Sequence, residues 1–81
     1  KMIKPDKHTN LDVSLINVVS FILKEFKFSK RISYDKLLED VVDHLGDDVK
    51  ELYPYSINFL FLLGKITYQQ NTDTFIYNET E

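Results

Sequence analysis

Three segments with apolar residues at helical spacing, each closed by a turn signal, precede a tail of β-branched and aromatic residues around a polar turn. That order predicts a mainly α (α+β) fold of the winged helix-turn-helix kind, with three helices followed by a C-terminal β-hairpin wing. The third segment adds the most telling detail. From Tyr53 to Leu63 it is oily on every side and holds neither Lys nor Arg.

Residues 1–10 read as a polar N-terminal arm and residues 11–79 as the single domain. Met2 is taken as the start and Lys1 as an addition ahead of it. Pro5 favours an extended or turning path. Leu15, Val18, Val19, Ile22, Leu23 and Phe26 then recur at three- and four-residue steps, which predicts an amphipathic helix over residues 12–26 capped by Asn10 or Asp12. Residues 29–33 connect, with Ile32 in a brief strand. Ser33 is a good N-cap for a second helix over residues 34–45, whose stripe is Leu37, Leu38, Val41, Val42 and Leu45. Gly46 stops it. Residues 47–53 form a polar linker with a turn of helix. Pro54 suits the first turn of the third helix and Gly64 ends it. Residues 66–70 and 74–78 pair as a hairpin around Asn71-Thr72-Asp73.

The totals set limits. Eighty-one residues make one domain at most, with a modest core. A chain that is 43% hydrophobic and 28% charged is not a disordered tail. The net charge of -3 argues against a general affinity for DNA, RNA or anionic membranes. Without cysteine there is neither a disulfide nor a thiolate metal site, which fits the expected cytoplasmic location. No run approaches the ~20 apolar residues of a membrane span, and the N-terminus lacks the apolar stretch of a signal peptide.

At about 100° per residue, Ile57, Leu60 and Phe61 share one face of the third helix while Tyr55, Phe59 and Leu62 point the other way. One face can close the core; little protein is left to cover the other. Six Phe and five Tyr exceed what a minimal core needs, and interfaces are enriched in such residues. Phe21, Phe26, Phe28 and Phe61 are expected inside, with Phe75 pinning the wing. Tyr53, Tyr55, Phe59 and Leu62 are expected to form a contact surface, unless the N-terminal arm folds back over them.

Charge sorts the remaining functions. Helix 2 and its linker carry Asp35, Glu39, Asp40, Asp43, Asp47, Asp48 and Glu51 against Lys36 and Lys50, a patch that repels phosphates. Asp35, Glu39 and Asp43 read either as a solvated face or as electrostatic docking for a basic partner. Lys24, Lys27, Lys30 and Arg31 suit a helix C-terminus, with a phosphate contact as the alternative. His8 and His44 form no ligand pair. No nucleophile elbow, phosphate-cradling glycine loop or metal pair is present. Neither cofactor, metal, small molecule nor catalysis is expected.

One set of residues resembles a known family: Pro5-Asp6-Lys7-His8, then Ser14-Leu15 opening a helix with Ile22-Leu23, then Phe59-Leu60-Phe61-Leu62-Leu63-Gly64-Lys65-Ile66 before a hairpin. It is similar to the small middle components of bacterial three-component ABC-ATPase conflict systems, over residues 5–77. The chain departs at Asn17-Val18-Val19-Ser20, where smaller residues are expected. The resemblance implies a non-catalytic adaptor between an SMC/Rad50-like ABC ATPase and an effector, a nuclease or another toxic domain, in antiphage or anti-plasmid defence. DNA would be met only through the complex. Pro5, Lys7 and His8 of the arm are expected to bind a partner, His8 being the one the resemblance singles out. The alternatives are a small winged-helix transcriptional regulator and an antitoxin-like inhibitor.

The charge distribution yields a first test. Mixed with duplex DNA at low salt, the isolated chain should leave the duplex unshifted in a gel; a salt-sensitive complex would count against this reading.

Overall fold

The computed structural model describes residues 5–79, with side chains from residue 15 onward. In chain order it contains α1 (Pro5–Phe28), β1 (Arg31–Ser33), α2 (Tyr34–Leu45), a 3-10 helix (Asp47–Leu52), α3 (Tyr53–Leu62), β2 (Ile66–Gln69) and β3 (Thr74–Tyr77). The fold is therefore mainly helical, with three α-helices and a small antiparallel sheet.

Helix α1 is longer than its apolar stripe. It opens at Pro5, not near Asp12, so residues 5–10 of the expected arm are helical and Asn10 and Asp12 lie inside the helix. A proline with φ near -65° is compatible with a first helical turn, which an extended reading of Pro5 overlooked. Residues 1–4 of that arm lie outside the described residues. Val18, Ile22 and Phe26, four apart, are fully buried.

Helix α2 follows its sequence signals closely. The Ser33 side chain accepts a hydrogen bond from the Lys36 N–H at 3.2 Å, as an N-cap should. Leu37 and Val41 are buried. At the far end the Gly46 N–H donates to the Val42 carbonyl at 2.9 Å. The expected linker turn is the 3-10 helix, which delivers Leu52 into the core.

The end of α3 is a Schellman motif. The Gly64 N–H donates to Phe61 O and the Lys65 N–H to Leu60 O, both at 2.9 Å, with Gly64 at φ 73°. That pattern requires a residue that accepts left-handed backbone. It turns the chain directly into β2.

The hairpin carries a third strand. Sheet order is β1-β3-β2, all antiparallel. Ile32 and Tyr68 both face Phe75 across the sheet, and Ile66 faces Tyr77. Alternation thus puts Ile32, Ile66 and Phe75 on the inner face, where all three are buried. The Tyr34 N–H donates to Asp73 O at 2.9 Å, which ties the hairpin turn to the start of α2.

Three aromatic expectations are corrected. Phe28 is 89% exposed, not a core residue. It lies two positions beyond inward-facing Phe26, so it points about 200° round the helix. Tyr53 is 1% exposed, not part of an outer surface. As the first residue of α3 it turns inward with Ile57 and Leu60, and its hydroxyl donates to the Tyr34 carbonyl at 2.9 Å. Its ring meets Tyr34 edge-on at 5.2 Å. Phe61, also expected inside, is 37% exposed: it borders an open cavity, its ring 6.1 Å from Phe75, and does not fill the core.

Removing the Tyr53 hydroxyl isolates its contribution. Tyr53→Phe should lower unfolding free energy by about 1 kcal/mol in urea titration, while Ser56→Ala should cost less, because the Ser56 hydroxyl only back-bonds four residues to the carbonyl of Leu52, the residue just before α3.

Candidate functional site

Helix α3 divides its apolar residues between two sides. Tyr53, Ser56, Ile57 and Leu60 face inward. Tyr55, Phe59, Leu62 and Leu63 face out, with Phe59 at 44% and Leu62 at 85% exposure. No charged side chain lies on this helix. The outward group predicted from the sequence is thus exposed as a set, with Tyr53 removed from it.

Phe59 does more than stand on the surface. It closes a groove of about 420 Å³ whose other walls are Leu15, Ile16, Val19 and Ser20 of α1. Ile16 is itself exposed. Sequence reasoning missed Ile16 and Leu63 as surface residues. Ile16 could have been found, since it falls off the stripe that Leu15, Val19 and Ile22 share. The groove is apolar and opens beside Leu62's helix, a form suited to holding side chains of another polypeptide.

The acidic residues of α2 form a separate surface. Asp35, Glu39 and Asp43, at four-residue steps, are exposed along one side. Asp40 is not part of this row: it pairs with Lys36 at 3.4 Å and lies near Glu25 of α1. Burial, followed by the hydrogen bond and charge of Asp40, raises the Glu25 carboxyl above its ordinary range, opposed by His44 and Lys36. His44 is held structurally. Its ring packs on Phe21 with centroids 5.1 Å apart, and its Nδ1 lies 3.0 Å from the Asp40 carbonyl.

The basic cluster is partly engaged by its own chain. Lys30 pairs with Glu79, and Arg31 Nη2 donates to Gln69 Oε1 at 2.9 Å. Lys24 and Lys27 are exposed. The side chains of Pro5, Lys7 and His8 lie outside the described residues, although their backbone is in α1. Among the described residues no group of His, Asp and Glu could hold a metal ion, and no helix is long and apolar enough to cross a membrane.

Glu25 gives a pH test with a definite sign. The folded state binds its proton more tightly than the unfolded state, so ionised Glu25 costs stability above the raised pKa. That cost fades as pH falls below the unfolded value of about 4.3. Glu25→Gln should therefore raise the Tm at neutral pH by about 1–3 °C, with the gain vanishing below about pH 4. Thermal scans of both proteins across pH measure it.

Comparison with known proteins adds one finding. A family model described as "ABC-three component (ABC-3C) system Middle Component 8" matches residues 30–78, which takes in β1 through β3 and leaves α1 outside. No curated protein and no solved structure matches the chain.

Proposed function

Because the chain belongs to the Middle Component 8 family of ABC-three component systems, we propose that it is a non-catalytic adaptor joining that system's ATPase to its effector. The observation that carries this reading is the outward side of α3: Tyr55, Phe59 and Leu62 exposed beside the groove that Phe59 shares with α1. Leaving such side chains in water forgoes about 1.5–3 kcal/mol each, and a partner's apolar residues would recover it. The order of helices, strand and hairpin is read here as a winged helix adapted to protein contact, with α3 in the place of a DNA-reading helix. A reading helix presents polar or basic side chains to base edges; outward on α3, only Asn58 has that chemistry.

The mechanism is conformational. The subunit holds or positions an effector, and engagement of an SMC/Rad50-like ABC ATPase with foreign DNA changes that contact. The row Asp35, Glu39 and Asp43 supplies a second, electrostatic contact for a basic partner surface, one that weakens as salt is added. Pro5, Lys7 and His8, at the start of α1, are proposed to extend the contact. Residues that work this way would sit together in the cytoplasm, DNA being reached through the complex.

Co-expression with the products of neighbouring genes, followed by mass measurement of the purified assembly, tests the proposal. The wild-type chain should be recovered in a complex. Phe59→Asp and Leu62→Asp should give folded monomers by circular dichroism that bind at least about 30-fold more weakly, the loss typical of a buried interface anchor. A folded Phe59→Asp chain that still assembles at full strength overturns this use of α3.

A further inference from the structure

On the side of α3 away from the Phe59 groove lies a second cavity, of about 450 Å³, between α3, the start of α2 and the hairpin. Ile57 contributes an aliphatic patch and the rest of the wall is largely aromatic. Tyr34, Phe61 and Tyr68 all stand around the Phe75 ring, with centroids 5.7, 6.1 and 5.4 Å from it. Two carboxylates, Asp35 and Asp73, complete the lining.

The carboxylates come from different elements. Asp35 sits in the first turn of α2; Asp73 sits in the hairpin turn at φ 51°, brought alongside by the hydrogen bond from the Tyr34 N–H to its carbonyl. Asp73 accepts a hydrogen bond from the Tyr68 hydroxyl, which fixes one of its oxygens and orients the ring. Asp35 makes no ion pair among the described residues. No cationic side chain lines the cavity. Behind the wall, burial first, then Tyr34 and the two aspartates, push the Tyr53 phenol pKa upward.

Aromatic faces attract cations through their quadrupole, and carboxylates pair with them. A planar guanidinium satisfies both at once, because it stacks on a ring and presents a fork of N–H donors to an acid at its edge. An ammonium is drawn to rings and acids as a point charge but neither stacks flat nor presents a fork, and a neutral planar group stacks without the charge. We infer that this cavity is a receptor for a single arginine side chain presented by a partner protein. It goes beyond the adaptor reading, from which it takes only that a protein is bound; Asp35 is shared with the acidic row of α2, and the other residues are distinct from Phe59, Leu62 and the groove.

The test uses the full chain, isotopically labelled for NMR, titrated with N-acetyl-arginine amide, N-acetyl-lysine amide and N-acetyl-citrulline amide. Citrulline keeps the shape of arginine and lacks its charge. The arginine probe should move the amide signals of Asp35, Phe61, Tyr68 and Asp73 in the millimolar range, the lysine probe should bind more weakly, and citrulline should leave them in place. Asp35→Asn with Asp73→Asn should weaken the arginine response at least tenfold while spectral dispersion is kept; asparagine tolerates the left-handed backbone at 73 and still accepts from Tyr68. Absence of an arginine response up to the probe's solubility limit overturns the inference. So does an equal response to citrulline, or a tighter one to lysine. Each of these outcomes leaves the Phe59→Asp assembly result unaffected, so the two proposals fail separately.

Discussion

Phe75 occupies the middle strand of the sheet, 2% exposed, with strands on both sides and the rings of Tyr34, Phe61 and Tyr68 around it. Those rings come from α2, α3 and β2, so one side chain joins the distant α2 to the consecutive pair α3 and β2. In a chain this small few buried residues are available to do so. Truncating a ring of this kind to alanine costs about 3–5 kcal/mol, a large part of the stability expected of such a domain. The sheet is thus less an ornament on a helical body than the piece that clamps α2 to α3.

The local parts of this fold were legible in the sequence, and the non-local ones were less so. Ser33 as a cap, Gly46 and Gly64 as stops, and the Leu37 and Val41 stripe of α2 follow from short-range physics. The split of α3 into Ile57 and Leu60 against Tyr55, Phe59 and Leu62 also follows from period alone. Three features did not. The pairing of β1 with β3 joins Ile32 to Phe75 across most of the chain, and periodicity carries no information about that register. Tyr53 reads as amphipathic, and its place inside depends on Tyr34 offering a carbonyl. Phe28 was taken for core on hydrophobicity, when its phase relative to Phe26 already pointed it outward. Of the candidate site, the exposed face was foreseen. Its groove was not, because α1 supplies every wall but Phe59, including Ile16, a residue that looks out of step with its helix.

The same residue chemistry serves inside and outside α3, and this constrains how the family's sequences can be read. An apolar helix with no charge to mark its solvent side gives no periodic contrast, so the usual sign of a surface is missing. Its place is taken by geometry: the inner residues join the core, while Tyr55, Phe59 and Leu62 stay exposed, Phe59 beside α1. The exposed acids of α2 add charge that α3 lacks, with Asp35 lining one cavity beside Ile57 and Phe61. A chain built this way can engage two chemically unlike surfaces at once, which is what a connecting subunit requires.

The joint at Gly64 has a mechanical consequence. Paired hydrogen bonds lock the last turn of α3, and β2 starts two residues later, with the Asn78 side chain donating back to the Gly64 carbonyl at 3.1 Å. There is no slack between rod and ribbon. A ligand that tilts α3 must swing the hairpin with it, and an object lodged under the hairpin must resist that swing. A push on either is therefore passed to the other through this joint.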